Sequence, residues 1–241
     1  GKLLFVNLTG GEPFLRKDIY EILEKTSKQD ISIYLSTNGC GVDEKKLKKI
    51  NPKAFKLFQI SLDSPIEATH DEIRGKKGTF NKALETLRAC SNIIGKNVGV
   101  GSVLMSYNQN EIQNIIKLAV DNGADTFALI TLLPWGRASE LIDPSIQAKV
   151  KAINNVFSEY SKYKDLIKFA ENTTIPVSLI PKEFREELLG SLCFCSFPYT
   201  LAVDADGNAA PCDGFLGNKE TNLGNIRQTS VKKIWDNSSI I

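Results

Sequence analysis

The segment Gly10-Gly11-Glu12-Pro13 combines residue types that can place backbone atoms and one carboxylate beside a small bound molecule. Two glycines without side chains let the chain approach a ligand closely, and Glu12 adds a negative charge. Pro13 removes a backbone donor and fixes the path of the chain into the next segment. A tight strand-to-helix turn also favours these residues. The segment is therefore interpreted either as a purely structural turn or as the edge of a ligand-binding site.

A second group of residues with chemical potential consists of three cysteines, Cys193, Cys195 and Cys212. Thiolates suit zinc or an iron–sulfur cluster, so we predict a metal site with these two alternatives. The Cys-x-Cys spacing is shorter than the usual Cys-x2-Cys, and a fourth ligand is unassigned. Five cysteines in 241 residues indicate reduced thiols or metal ligands rather than a disulfide framework.

The remaining residues of this kind have structural interpretations. Cys90 shares a helical face with apolar residues and is interpreted as a core thiol, and Cys40 as incidental. His70 is the only histidine and lies in a polar stretch, so we expect a surface or capping residue. Gly99-Val100-Gly101 begins like a dinucleotide-binding fingerprint, but Leu104 replaces the third glycine and the segment reads as a strand.

Short apolar runs alternate with helical periodicity through the first two thirds of the chain. This alternation predicts an α/β fold with a parallel sheet, in which the ends of all strands carry small, hydroxylic and acidic residues to one face. A helix is expected from Ser145 to Tyr163, and after it a hairpin around Asp204–Asn208 and a final helix near Trp235. The predicted strands are Leu3–Leu8, Ile31–Ser36, Lys56–Leu62, Val98–Leu104 and Phe127–Leu133.

The composition excludes several functional classes. The net charge of +2 gives no reason to expect binding to nucleic acid or to an anionic membrane. No apolar run approaches the roughly 20 residues that span a bilayer, and no secretory signal is evident. We therefore expect a cytoplasmic protein.

Five short motifs, in order, resemble those of the radical S-adenosylmethionine (radical SAM) enzymes, and the cysteine-bearing end is similar to a SPASM or twitch region. The motifs are Leu8 to Arg16, Ser36-Thr37-Asn38-Gly39, Ile60-Ser61-Leu62-Asp63-Ser64, Ile73-Arg74-Gly75 with Gly78-Thr79-Phe80, and Asp206-Gly207 with Pro211-Cys212 and Leu223 to Ile226. The resemblance implies a partial (β/α)6 TIM-like barrel over residues 1–175 and a SPASM/twitch-like region over 176–241.

The resemblance also implies a role for each matching residue. The turn Gly10, Gly11, Glu12 and Pro13 would receive the methionine ammonium of SAM. The other expected contacts with SAM are Ser61 and Asp63 at the ribose, Arg74 at the methionine carboxylate, Ser36 and Asn38 as nearby polar groups, and Leu133 in the segment beside adenine.

Chemistry in the family belongs to its cofactors: a reduced [4Fe-4S] cluster cleaves SAM and yields a 5′-deoxyadenosyl radical. Its Cys-x3-Cys-x2-Cys ligand spacing does not occur in this sequence. We expect the chain to be a portion of a longer enzyme, itself unable to cleave SAM. The resemblance implies an auxiliary [4Fe-4S] cluster at Cys193, Cys195 and Cys212.

The implied activity is the radical modification of a peptide, a protein or a tetrapyrrole precursor, with a peptide or protein substrate preferred. A reductant such as flavodoxin or ferredoxin is the implied electron donor. The alternative is a non-catalytic scaffold that keeps the barrel and uses its C-terminal region to recognise a partner.

Overall fold

The computed structural model describes residues 3–132, 143–189 and 200–237, and its first unit is built on a six-stranded parallel sheet in chain order. This arrangement confirms the predicted α/β class, and the five predicted strands recur with ends shifted by at most two residues. The strands are β1 (Phe5–Leu8), β2 (Ser32–Thr37), β3 (Phe55–Ser61), β4 (Val98–Leu104), β5 (Thr126–Thr131) and β6 (Lys168–Phe169).

Helices follow most of these strands and cover the outer face of the sheet. Their starts are fixed locally: Asp43 accepts hydrogen bonds from the backbone amides of Lys45 and Lys46, and Ser145 caps the long helix that the sequence predicted. The helices of this unit are α1 (Ile19–Ser27), α2 (Glu44–Leu47), α3 (Glu67–Arg74), α4 (Thr79–Ile94), α5 (Asn114–Asp121), α6 (Ile146–Tyr163) and α7 (Arg185–Leu189).

Alternation along β2 shows how each strand divides its side chains between two faces. Ile33 and Leu35 are buried in the core beneath the helices, whereas Tyr34 and Ser36 are half-buried on the opposite, concave face. The Tyr34 hydroxyl donates a hydrogen bond of 2.6 Å to Glu171, which follows β6. A contact between the second strand and the end of the sixth requires a curled sheet, which is the expected partial barrel.

The second unit, residues 193–241, contains an antiparallel sheet and a final helix. The predicted hairpin is present as β7 (Ala202–Val203) and β8 (Asn208–Ala210), with β9 (Gly224–Asn225) beside β8, and α8 (Val231–Asn237) follows. Residues 176–189 group with the first unit, where Ile180 and Leu188 are buried in its core. The boundary expected at 175/176 therefore falls inside the first unit.

No helix within the described residues is long and apolar enough to cross a membrane.

Candidate functional site

The turn after β1 is fastened to the end of β2 through the carboxylate of Glu12. One oxygen, Oε1, accepts hydrogen bonds from the Thr37 hydroxyl at 2.6 Å and from the Phe14 amide at 3.2 Å. The other, Oε2, accepts from the Asn38 amide at 2.7 Å. These bonds place a half-buried negative charge at the carboxyl end of two neighbouring strands. Pro13 begins the short 3-10 turn that Glu12 caps.

The backbone of Gly10 and Gly11 is exposed beside this carboxylate. Gly10 has a φ of +112°, which disfavours any residue with a Cβ. A Cβ built on either glycine would meet nothing within 4 Å, so open space adjoins the turn. A ligand can therefore reach backbone atoms here directly.

The end of β2 contributes Ser36 and Asn38, both half-buried. The Asn38 side-chain carbonyl accepts a 2.8 Å hydrogen bond from the Cys40 amide, which shapes the turn. Gly39 has a φ of +85°, and a Cβ there would lie 3.2 Å from the Cα of Ala83 on α4. Close packing against a helix thus fixes this turn next to Glu12.

The end of β3 brings Asp63 and Arg74 together, although the sequence assigned them to different parts of SAM. Asp63 Oδ2 lies 2.5 Å from Arg74 Nη2, and Oδ1 accepts a 3.0 Å hydrogen bond from the Val103 amide of β4. The Asp63 side chain is only 3% exposed, whereas that of Arg74 is 29% exposed. Arg74 Nε is buried and has no hydrogen-bond partner among the residues that the structure describes. Ser61, the last residue of β3, is half-buried two positions before Asp63.

His70 is buried at this pair, so the expectation of a surface or capping residue is wrong. Its Nδ1 accepts a 3.2 Å hydrogen bond from the Asp63 amide, and only 1% of the residue is exposed. Burial lowers the pKa of His70 below its usual value of 6.5, which favours the neutral ring. The spacing of four between His70 and Arg74, which puts both on one face of α3, was the available sequence signal.

Asn108 is a further residue that the sequence did not indicate. Its side-chain amide donates to the carbonyl oxygens of Asp63 at 2.6 Å and Val103 at 2.7 Å, and its carbonyl accepts from the Met105 amide at 2.8 Å. The residue is fully buried. It therefore ties the end of β3 to the end of β4 through the backbone of Asp63, the acidic member of the ion pair.

Cys90 and Cys212 have different surroundings. Cys90 is fully buried in the helix-side core, as predicted, and burial raises its pKa to about 12. Cys212 is half-buried in the second unit, and its Sγ donates to Asp213 Oδ1 at 3.0 Å. Leu133, Cys193 and Cys195 lie outside the described residues. Within residues 3–132, 143–189 and 200–237, no three His, Cys, Asp or Glu side chains are grouped as metal ligands.

Two family profiles match the chain. The profile described as "Radical SAM superfamily" matches residues 1–119, and that described as "Iron-sulfur cluster-binding domain", the SPASM profile, matches residues 193–241. The second match begins where the second structural unit begins.

Curated relatives align along nearly the whole chain. The AdoMet-dependent heme synthase of Nitratidesulfovibrio vulgaris is 26% identical over 250 residues, covering 95% of this chain and 65% of the relative. AlbA, the antilisterial bacteriocin subtilosin biosynthesis protein of Bacillus subtilis, is 28% identical and covers 97% of this chain and 49% of the relative. The chain thus spans about half to two thirds of the length of these relatives.

Solved structures share the fold. The crystal structure of Streptococcus suis SuiB bound to S-adenosylmethionine superposes with a TM-score of 0.77 at 19% identity, covering 98% of this chain and 55% of SuiB. A second SuiB structure, bound to the precursor peptide SuiA, has a TM-score of 0.74 at 19% identity and covers 98% of this chain and 54% of SuiB.

Proposed function

Because the chain belongs to the radical SAM superfamily and carries a SPASM region, we propose that it forms the SAM-binding barrel and the iron–sulfur unit of a radical enzyme. The observation that carries this proposal is the clamped Glu12 carboxylate. It lies next to exposed, unobstructed glycine backbone at the carboxyl edge of a parallel sheet, the edge where α/β folds bind ligands.

The chemistry of the strand-end turn fits the methionine end of SAM. An ammonium group needs acceptors, and the turn offers backbone carbonyls of Gly10 and Gly11 together with the negative charge of Glu12. The three donors on Glu12 hold its carboxylate in place before any ligand arrives, so little ordering is needed on binding. Pro13 fixes the path of the chain out of the turn.

The burial of Asp63 changes the role that we propose for it. Its carboxylate is occupied by Arg74 and the Val103 amide, so it orients the guanidinium rather than contacting ribose. Arg74 retains donors for the methionine carboxylate. Ser61 is proposed at the ribose, with Ser36 and Asn38 as polar neighbours on the same edge. Leu133 is retained as the apolar neighbour of adenine.

SAM and a reduced [4Fe-4S] cluster together supply a 5′-deoxyadenosyl radical when both are bound. The Cys-x3-Cys-x2-Cys spacing that holds this cluster is absent from the 241 residues, so no residue of this chain is assigned to it. Cys212 is proposed as a ligand of an auxiliary [4Fe-4S] cluster, together with Cys193 and Cys195. The Cys212 side chain is half-buried, and a soft thiolate ligand suits an iron–sulfur cluster. A flavodoxin or ferredoxin would supply electrons.

A peptide or protein is the substrate class we propose, with a tetrapyrrole as the second candidate. AlbA is named for bacteriocin biosynthesis and SuiB was solved with a precursor peptide, whereas another relative is named a heme synthase. The site faces outward at the strand ends, where a chain segment could lie across it. We propose the cytoplasm as its location.

Titration calorimetry of this chain with SAM tests the proposal. We expect binding by the wild type and an affinity about tenfold or more lower for Glu12→Gln, because a hydrogen bond to a charged group contributes about 1.5 kcal/mol or more. Glu24→Gln is the matched control, since Glu24 forms an exposed ion pair with Lys28 at the end of α1. Absence of binding, or equal affinity for Glu12→Gln, would contradict the proposed site.

A further inference from the structure

Asp63 is held through its backbone as well as through its side chain. Its amide donates a 3.2 Å hydrogen bond to His70 Nδ1, and its carbonyl oxygen accepts one of 2.6 Å from the Asn108 side chain. Its carboxylate accepts from the Val103 amide at 3.0 Å and pairs with Arg74. Because these contacts form one network, a displacement of the Asp63 backbone also displaces the carboxylate and the guanidinium that it holds.

Helix α3 makes two of these contacts from positions one turn apart. His70 reaches the Asp63 backbone and Arg74 reaches the Asp63 side chain, and the spacing of four residues puts both on one face of the helix. One contact alone would let the helix pivot about it. Two contacts set the rotation of α3 and the distance of the Arg74 guanidinium from the end of β3.

One protonation form of His70 is compatible with its contact to Asp63. A backbone amide only donates, and an imidazole nitrogen accepts only when it carries no proton, so the ring must be neutral with its proton on Nε2. The ring is buried and packs edge-on against Phe80 of α4, which keeps solvent away from this contact. A proton on Nδ1 would set two donors against each other.

We propose that His70 is a positioning residue of the strand-end site, which comprises the Glu12 turn and the Asp63–Arg74 pair. By holding the Asp63 backbone, the neutral His70 ring keeps the Asp63 carboxylate where it presents the Arg74 guanidinium to a bound carboxylate. That this carboxylate belongs to SAM rests on the proposed function. The coupling of His70 to Arg74 rests on the contacts of Asp63 alone.

Nuclear magnetic resonance of the ligand-free chain tests the protonation form of His70. The chain contains one histidine, so the ring signals of isotope-labelled histidine belong to His70. At neutral pH we expect the nitrogen shifts of a neutral ring with the proton on Nε2. A proton on Nδ1 would overturn the proposal, because the ring would then have no acceptor for the Asp63 amide.

The reactivity of Arg74 toward phenylglyoxal, an arginine reagent, tests the coupling without ligand. Site-resolved mass spectrometry gives the rate at Arg74, with Arg16 in its exposed pair as the internal reference. We expect His70→Leu to raise the rate about threefold or more, because local opening frees the guanidinium. His70→Asn offers a side-chain carbonyl in place of Nδ1 and should keep Arg74 protected. Equal rates at Arg74 in His70→Leu and the wild type would overturn the proposal.

Titration calorimetry with SAM tests the consequence for the site. At neutral pH we expect His70→Leu to bind SAM about tenfold or more weakly, because the guanidinium loses the orientation that bidentate pairing needs. The conservative variant His70→Asn should restore most of the affinity. Equal SAM affinity in His70→Leu and the wild type would contradict the positioning role.

The pH profile of SAM affinity separates positioning from simple packing. Burial lowers the pKa of His70 below 6.5, so wild-type affinity should fall as the pH drops through that lower value, and His70→Asn should remove this fall. The charged groups that act on the ring are Asp63 at the end of β3 and Asp71 and Arg74 on α3, and they are the same in both chains. Identical pH profiles in the two chains would overturn the proposal.

Ile153→Ala is the matched control for lost stability, since it removes a buried side chain from the core on α6. It should lower the urea midpoint and leave the Arg74 rate and the SAM affinity unchanged. A weakening of SAM binding in Ile153→Ala as large as that in His70→Leu would reduce the effect of His70 to stability and overturn the proposal. Absence of SAM binding by the wild type would contradict the proposed function, and the two ligand-free measurements would still decide the coupling.

Discussion

The two candidate sites of the chain differ in what organises them. At the strand ends of the barrel, Glu12 and Asp63 are each held by donors from a neighbouring element. In the C-terminal unit, the Cys212 thiol contacts the carboxylate of the adjacent residue, and hydrogen bonds around Asp204 and Asn208 shape the hairpin turn. The polypeptide alone positions the first site, whereas the second offers a thiol whose geometry a bound metal or cluster would complete.

This contrast predicts that substitutions at the strand ends affect the fold, and that substitution of the thiol affects only metal content. The barrel site is built into the hydrogen bonding of the sheet, so its residues serve stability and binding together. Three experiments test this difference between the strand-end site and the Cys212 thiol.

Asp63→Ala should have the largest effect. It leaves the mostly buried Arg74 guanidinium without its partner and removes the acceptor for the Val103 amide. We expect a loss of about 3 kcal/mol in the free energy of unfolding, measured by urea titration. Asp18→Ala, which breaks the exposed pair with Arg16, should lower the free energy of unfolding far less, because solvent screens an exposed ion pair. Equal losses in the two variants would show that the Asp63 pair does not organise the site.

A smaller effect is expected from protonation of His70, the only histidine in the chain. Its pKa is lowered in the folded state by burial, so the unfolded chain binds the proton more readily. The contribution of His70 is complete above pH 6.5 and is lost as the pH falls through its lower folded pKa. The free energy of unfolding should therefore decrease from pH 7.5 toward pH 5.5, and His70→Gln should flatten this dependence. An unchanged slope in His70→Gln would place the titration elsewhere.

Cys212→Ser should have the smallest effect on the barrel. The urea midpoint of the first unit and the SAM affinity should equal those of the wild type, because Cys212 and its partner Asp213 both belong to the second unit. Iron bound after anaerobic reconstitution should fall, as measured by metal analysis, with Cys40→Ser as the control. Zinc in place of iron would favour the alternative metal, and unchanged metal content would remove Cys212 from the ligand set.

The sequence predicted those parts of the molecule that depend on local patterns. Alternating and apolar runs placed five strands to within two residues, and the Gly10-Gly11 turn followed from residue types that permit close backbone approach. β6 was missed because Lys168–Phe169 is too short to carry a periodic signal. Such a strand is formed by pairing with β5 rather than by its own sequence.

The partners of the site residues were the part that the sequence could not supply. Asp63 and Arg74 are eleven positions apart, and their pairing depends on how α3 folds back on β3. His70 was misassigned because its sequence neighbours are polar, whereas its ring packs against Phe80 with centroids 5.8 Å apart. Residues that face solvent and residues that face the core alternate along the sequence of a helix. The polarity of a short segment therefore does not show which of its residues is buried.

Hydrogen exchange measured by mass spectrometry, with and without saturating SAM, tests the central claim most directly. Our account predicts slower exchange in peptides that cover residues 9–13 and 36–39, where the Glu12 clamp and the exposed glycine backbone lie. It predicts unchanged exchange in peptides within 200–237. Protection confined to 200–237, or no protection at 9–13, would contradict the assignment of the strand-end turn as the SAM-binding edge.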